Sequence, residues 1–349
     1  MPSLKLLTLR KFHEKVFYAL FFLLSAGCSK PDFGKPIVAD HPIKNITFCF
    51  GRHLIDMPEK FSPTDRVIAI FSLSGKTNNE GAINIVVQKR ILSKEQFNQS
   101  INLRKAELEE AAYHNTNVLK EVRDVKGQTR IFHTQVIGKS YSTELHFLLS
   151  GKYIVLKADS YHDNYLAVEK NLLELANNFE VNSETKSSEN SFCLGGVSIR
   201  GNYQKEYAEF RFRNPELPDV KVEINVDTYT RDGDKTLLAR LDGPDSLLKI
   251  FGVKNKVLRK GELKTASMKS QEWLSWTILN DKEKKKHYGF ALETTRPVGA
   301  PLLPQIHLEL DAVDSIGERA KNSHASREKK LIELRDSITR SIRPNQKVQ

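Results

Sequence analysis

A Phe-Cys pair with a glycine two positions beyond the cysteine occurs twice in this chain, as Phe48-Cys49-Phe50-Gly51 and as Phe192-Cys193-Leu194-Gly195. Each copy stands at the head of a similar succession of strand and helix patterns. The chain therefore reads as one architectural unit used twice, and that constrains the fold more than any other feature.

The elements after each copy are legible from periodicity and turn residues. In the first block Met57-Pro58 is expected to break the Phe-Cys stretch, and Arg66 to Leu73 and Ala82 to Ile91 then read as strands rich in Ile and Val, separated by a turn over 75–81. Ser93-Lys94-Glu95-Gln96 is a capping box. It predicts a helix to about Tyr113 with Phe97, Ile101, Leu108 and Ala112 on one face. Strands are expected at 118–125, 129–137, 141–149 and 153–158, with Gly127, Gly138 and Gly151 at hairpin spacing. Asp163 is placed to cap a second helix carrying Val168, Leu172, Leu175 and Phe179. The second block repeats the order. It has strands at 206–213 and 221–230, a turn at Asp232-Gly233, and a short helix from Pro244-Asp245 through Leu247, Leu248 and Phe251. Strands at 257–265, 273–279, 288–294 and 306–310 follow, then a helix with Leu331, Leu334, Ile338 and Ile342. The expected class is α+β: two tandem related domains, each an antiparallel sheet with helices packed on one face. They span 45–180 and 191–343, joined by a polar linker at 181–190 and followed by a tail at 344–349.

The first residues speak to compartment. Lys5, Arg10, Lys11 and Lys15 precede the apolar run Val16–Leu24. That run is shorter than the roughly 20 residues a membrane-spanning helix needs, so 1–27 reads as a secretory signal peptide. Ala26-Gly27-Cys28 resembles the lipobox of bacterial lipoproteins, with Ser25 where Leu is commoner; the alternative is an ordinary signal peptide ending near a chance cysteine. On the lipoprotein reading Cys28 carries the lipid, 28–44 with Pro31, Pro36 and Pro42 is a tether, and Ser29 in place of Asp points to the outer membrane. The protein is then expected in the periplasm.

Net charge is +11, and removal of 1–27 takes away four basic residues and one acid, leaving +8. Outside the cytosol such a balance suits an acidic protein partner, anionic headgroups or simply a solvated surface, and not nucleic acid. With Cys28 acylated, Cys49 and Cys193 remain. In an oxidising compartment they either pair or stay as two buried thiols at equivalent places.

Catalytic signatures are lacking in the sequence. There is no Gly-x-Ser-x-Gly, no His-Glu-x-x-His and no Cys-x-x-Cys. Ser74-Gly75-Lys76-Thr77 ends like a phosphate loop, but Ile70 stands where its first Gly belongs. His133 and His146 fall on strands and read as hydrogen-bonded or surface histidines. No catalytic residue, cofactor or metal ligand is assigned, and the chain is not expected to be an enzyme. Candidate binding features are the basic turn Lys282–His287, an Arg52–Asp56 pair, and Trp273 and Trp276 on opposite strand faces, one core and one exposed.

Cys49-Phe-Gly-Arg-His-Leu-Ile-Asp-Met-Pro58 resembles the opening signature of the type VI secretion tail-lipase immunity proteins, with His53 at a position usually aromatic. Phe192-Cys193, Pro304–Leu310 and Ile338–Pro344 are similar to the C-terminal domain of that family. The resemblance implies a two-domain periplasmic immunity lipoprotein. Such a protein would hold a cognate phospholipase effector inactive by steric cover and need no cofactor; its interface residues remain unassigned. The other reading of the chain is an envelope lipoprotein that scaffolds an assembly or binds peptidoglycan or the membrane surface.

Overall fold

The computed structural model describes residues 44–64, 66–72, 82–113, 118–125, 127–161, 163–182, 191–203, 205–229, 233–243, 246, 255–264, 268–278, 285–295, 304–315 and 321–345. All belong to one compact unit, Lys44–Gln349. Cys28 and its tether, the turns at 75–81 and 230–232, the helix expected from Pro244 and residues 282–284 of the basic turn lie outside the described residues.

The first half runs β1 (Asn45–Gly51), β2 (His53–Pro58), β3 (Ser62–Pro63), β4 (Arg66–Ser72), β5 (Ala82–Ile91), α1 (Lys94–Tyr113), β6 (Val118–Val125), β7 (Thr129–Ile137), β8 (Ser140–Leu149), β9 (Lys152–Ser160), α2 (Tyr165–Ala176) and β10 (Phe179–Val181). The second half runs β11 (Ser191–Leu194), β12 (Val197–Arg200), β13 (Lys205–Asn214), β14 (Leu217–Asp227), α3 (Leu237–Asp242), β15 (Asn255–Lys264), β16 (Lys269–Ile278), β17 (Lys285–Thr294), β18 (Gln305–Ser315), α4 (Lys321–Arg340) and β19 (Arg343–Pro344). The protein is thus the expected α+β pair of related domains. Apart from the short β3, each half is a hairpin, two strands, a helix, four strands, a helix and a final short strand.

Both sheets display the duplication. The large sheet has the order β15-β16-β17-β18-β14-β13-β4-β5-β9-β8-β7-β6, with β3 added beside β13. Read from either end, corresponding strands come in the same succession and meet at the antiparallel β4–β13 ladder, where Ala69 faces Ala208. The small sheet, β10-β12-β11-β1-β2-β19, is arranged in the same way about β1 and β11. In it the halves exchange partners. Strand β10, which ends the first half, pairs with β12 of the second, and β19, which ends the second, pairs with β2 of the first.

Period-two patterning decides how the sheets stack. Strand β13 alternates half-buried and buried residues along its whole length, so one face is apolar and the other polar. The apolar face meets the small sheet: Phe71 packs on Phe192 with ring centroids 4.9 Å apart, Phe48 on Phe212 at 5.3 Å and Phe50 on Phe210 at 6.1 Å. The repeated Phe-Cys stretches thereby supply the lid of the central core. Each motif glycine is needed for its backbone. Gly51 has φ +53° and Gly195 φ +67°, and an added Cβ would lie 3.2 Å from Val226 Cγ2 and 2.9 Å from Val67 Cγ2 respectively.

Several local expectations meet the structure. The capping box forms, with the Ser93 N–H donating to Gln96 Oε1 at 3.0 Å and the Gln96 N–H donating to Ser93 Oγ at 3.2 Å. Phe97, Ile101 and Leu108 are buried on one helix face. Three expectations are corrected. Met57 and Pro58 continue β2 and do not break it, because Ile46 and Asn45 of β1 pair with them. Asp163 does not cap α2: its φ is +61°, its carboxylate meets Lys139 at 3.3 Å, and Asn164 takes the cap position without a side-chain bond. Phe179 and Val181 belong to β10 and not to a helix end or linker, since β12 offers them a strand edge. Helix α3 was not foreseen; Thr236 caps it, accepting from the Ala239 N–H at 3.4 Å.

Candidate functional site

The polar face of the large sheet follows from strand register. Ile68 faces Val86, Val86 faces Val155, and Val155 packs into the cluster of Phe97, Ile101 and Leu108 beneath α1. In the other direction Ile68 faces Glu209, Arg211 faces Glu223, Glu223 faces Glu309, and Glu309 faces Ala291. Ala291 packs with Trp273 and Leu237 beneath α3. Helices α1 and α3 therefore lie on the same face, one over each end. Helix α2 and the small sheet lie on the opposite face with α4. The two helices of each half thus take both faces of the sheet and not the single face expected, because the apolar face opposite α1 and α3 is closed by the small sheet. Between α1 and α3 no described helix or strand covers β5, β4, β13, β14 and β18.

This uncovered strip is a trough. Its side chains are only partly solvated although no described element lies over them; Glu209 is 18% and Glu223 34% exposed. Ile68, Ile70, Val86 and Tyr207 are half-buried at its middle. Charges surround them: Arg211 donates to Glu223 Oε2 at 3.0 Å and lies 2.5 Å from Glu209 Oε1. An open cavity of about 360 Å³ is bounded by Thr64, Arg66, Ile68, Glu209 and Arg211. An apolar middle with a charged border is the anatomy of a protein-binding surface.

The electrostatics agree with a trough. Burial, joined by Glu309 and Glu223 and opposed by Lys221 and Arg213, pushes Asp311 up to about 7. Burial, then Glu223, raises Glu209, and burial followed by Glu209 raises Tyr207. Burial lowers Lys221 and Arg213, each helped by a neighbouring cation. Five groups of one face are all moved toward neutrality by lost hydration. Their desolvation has been met largely on folding, so a matching partner finds them preorganised. At the end near α3, His307 lies 3.3 Å from Glu293 and 2.9 Å from Glu309; burial opposes its charge, but these carboxylates raise its pKa to about 9.

The residues singled out from the sequence fall elsewhere. Cys49 and Cys193 form a disulfide with Cα atoms 5.8 Å apart, where β1 meets β11. Arg52 and Asp56 do not pair. Arg52 donates from Nε to Glu206 Oε2 at 3.0 Å and from Nη2 to the Gly201 carbonyl at 2.7 Å. Asp56 is held by Arg343 at 2.9 Å and Thr47 Oγ1 at 2.6 Å; although burial works against the carboxylate, these bonds hold its pKa low. Arg52 sits in the turn between β1 and β2 and reaches toward Glu206, whereas Asp56 lies inside β2 beside Thr47 and Arg343. Trp273 and Trp276 do take opposite faces, but neither is exposed. Trp273 is buried under α3, and Trp276 packs on the main core with Lys286 Nζ 4.3 Å from its ring centroid.

His133 donates or accepts at Thr143 Oγ1, 3.1 Å away, and at Glu169 Oε2, 2.7 Å away. The order Thr–His–Glu is that of a nucleophile relay, but Thr143 and His133 are fully buried, so no substrate reaches them. They tie α2 to the sheet. His146 is likewise enclosed, bonded to Tyr153 Oη at 2.7 Å and Glu144 Oε2 at 3.2 Å. Among the described residues no group of three His, Cys, Asp or Glu is placed to hold a metal.

Sequence reasoning missed the trough. Its local trace is a series of charges at alternate positions of β13 and β14, as in Glu209-Phe-Arg211-Phe-Arg213, broken by Tyr207 and Asn225, which is also the ordinary signature of a solvated face.

Comparison with known proteins adds family information. Residues 46–164 match the family described as Tle cognate immunity protein 4 N-terminal domain, and residues 187–347 match its C-terminal domain. Among solved structures the fold is similar to the apo immunity protein TplEi of the type VI secretion system of Pseudomonas aeruginosa. The TM-score is 0.61 at 21% identity, covering 86% of this chain and 97% of that one. It is similar to a Tle4–Tli4 complex chain with TM-score 0.61 at 22% identity and 86% and 97% coverage. A peptide-bound TplEi gives 0.59 at 20% identity, with 86% and 98% coverage. No curated protein sequence matches.

Proposed function

The chain belongs to the Tle cognate immunity protein 4 family of type VI secretion effector immunity proteins, and from that premise we propose that it binds a secreted phospholipase in the periplasm and blocks it sterically. The observation that carries this reading is the trough between α1 and α3. It crosses the junction of the two halves, so a partner seated there touches both family domains at once. Chains of this fold have been solved with an effector, as in the Tle4–Tli4 complex. Inhibition by cover needs complementary surface and no reacting group, in keeping with the enclosed His133 and His146. The protein is then an inhibitor and not an enzyme. Cys28 carries the lipid and places it on the periplasmic face of the outer membrane.

The test is co-expression with the phospholipase encoded beside this chain, directed to the periplasm. Growth should be rescued and the two proteins should co-purify; failure of both sinks the reading. Palmitate labelling should disappear in Cys28→Ala, and labelling that persists would refute the anchor.

A further inference from the structure

Within the trough, the two guanidinium groups that line the cavity are not equivalent. Arg211 is matched by Glu209 and Glu223 on its own and the adjacent strand. Arg66 is exposed at the start of β4, and its guanidinium makes no hydrogen bond or ion pair among the described residues. Its charge helps to keep Glu209 ionised but does not bond it. Glu209 is committed to Arg211, so it leaves the fork of Arg66 available. The cavity beside Arg66 also offers the Thr64 hydroxyl and the flank of Ile68. It opens at the junction of β4 with β13, the middle of the trough.

From this we infer that the cavity bounded by Thr64, Arg66, Ile68, Glu209 and Arg211 is the anchor site for an acidic side chain of the bound phospholipase, with Arg66 as its counter-charge. A carboxylate fits because a planar guanidinium can present two N–H groups to its two oxygens. Thr64 Oγ1 can donate a further bond, and Ile68 can receive the methylene stem. A lysine or arginine from the partner is disfavoured, since Arg66 would repel it while Arg211 is already matched by Glu209 and Glu223. The central position matters because binding energy concentrates in well-packed middles of interfaces, where arginine is enriched. The inference rests on the proposed phospholipase-binding role.

The test uses the mature full chain and a catalytically inactive form of the phospholipase encoded beside it, with affinity measured by calorimetry for wild type, Arg66→Glu, Arg66→Lys and Lys329→Glu. Lys329 is on α4, on the opposite face, and its side chain is 78% exposed. Arg66→Glu should weaken binding by about 30-fold or more, the size of an interface hot spot. Arg66→Lys should lose less, and Lys329→Glu should leave affinity within about two-fold, as remote surface changes do. All variants should keep the wild-type thermal midpoint, because both positions are exposed. A charge reversal at one Asp or Glu of the phospholipase should restore binding to Arg66→Glu. If wild type binds and Arg66→Glu binds equally well, the anchor is overturned and the immunity role stands. If wild type does not bind, both are overturned.

Discussion

Arg123 and Arg259 stand on the two outermost strands of the large sheet, β6 and β15, and each reaches the helix that closes its own half. Arg123 meets Glu169 of α2, and Arg259 meets Asp336 of α4, at 3.0 Å from Nη1. The rest of the two clusters differs in residue type. In the first half the neighbouring strand adds His133 to Glu169. In the second the neighbouring strand supplies Glu272 and the helix supplies Arg335. One architectural device, an edge-strand arginine that pins a helix, has been kept while its partners changed type.

Arg335 makes the second cluster the more vulnerable. It is fully buried, with Nη1 2.6 Å from Glu272 Oε2 and 3.1 Å from Asp336 Oδ1. Glu272 would lose its buried partner and keep Arg259, 2.8 Å away, so Arg335→Ala should cost about 3 kcal/mol, the lower end for breaking a buried ion pair. Urea titration monitored by circular dichroism would measure it. The double variant with Glu272→Ala should recover part of the loss, and a double variant as unstable as the sum of the singles would show that the pair is not coupled.

The disulfide ties residues 144 positions apart. A loop of that size is worth about 5 kcal/mol in the chain-entropy account, with engineered and native examples commonly lower. Cys49→Ser should therefore lower stability by about 2–5 kcal/mol. A reducing agent should lower the denaturation midpoint of wild type and leave that of the serine variant unchanged. Equal shifts in both would contradict the bond. Non-reducing gels of the unfolded chains should separate the two by mobility.

Two glycines separate backbone strain from crowding. Gly138 has φ +55° with nothing within 4 Å of an added Cβ, whereas Gly195 has φ +67° and an added Cβ would meet Val67 at 2.9 Å. Gly138→Ala should cost only the left-handed conformation, about 1–2 kcal/mol. Gly195→Ala should cost more, because the central core must also shift. Thermal midpoints that fall equally in the two variants would refute the close approach at β11.

Two titrations act in opposite directions. His53 is buried, and lost hydration followed by the Arg52 charge lowers its pKa to about 4. Protonation thus favours the unfolded chain, whose histidine has a pKa near 6.5, and stability falls as pH drops from about 6.5 toward 4. His53→Phe should remove that limb, with a gain relative to wild type that grows on acidification to about 3 kcal/mol by the linkage arithmetic. The ring already packs on Phe50 at 5.8 Å, so an aromatic fits the slot. Asp311 is raised to about 7. Its ionisation disfavours the fold, and the penalty develops as pH rises from the unfolded carboxylate range through 7. Asp311→Asn should stabilise the protein at pH 8 more than at pH 5. Denaturant midpoints across pH 4–8 would check both signs.

Much of the local structure follows from residue order alone. The capping box at Ser93, the buried stripe of Phe97, Ile101 and Leu108, and the alternation in β13 are written within a few positions of one another, where backbone period and side-chain chemistry decide. The duplication and the family signature at Cys49–Pro58 are equally local in the chain. Other features could not be read that way. Met57 and Pro58 stay in a strand because β1 lies beside them, and Phe179 becomes a strand because the other half offers an edge. Arg335 lies on an apolar helix stripe between Leu331 and Ile338, a position whose meaning depends on Glu272, 63 positions away. The trough is the largest such feature. Its charges alternate like those of any solvated strand, and they become a partly desolvated, preorganised surface only because α1 and α3 close the two ends of a sheet whose halves join at β4 and β13. Sequence therefore determined the elements, their duplication and the family. Tertiary structure decided which polar face stays open, because that depends on long-range pairing and shared burial, which no local pattern encodes.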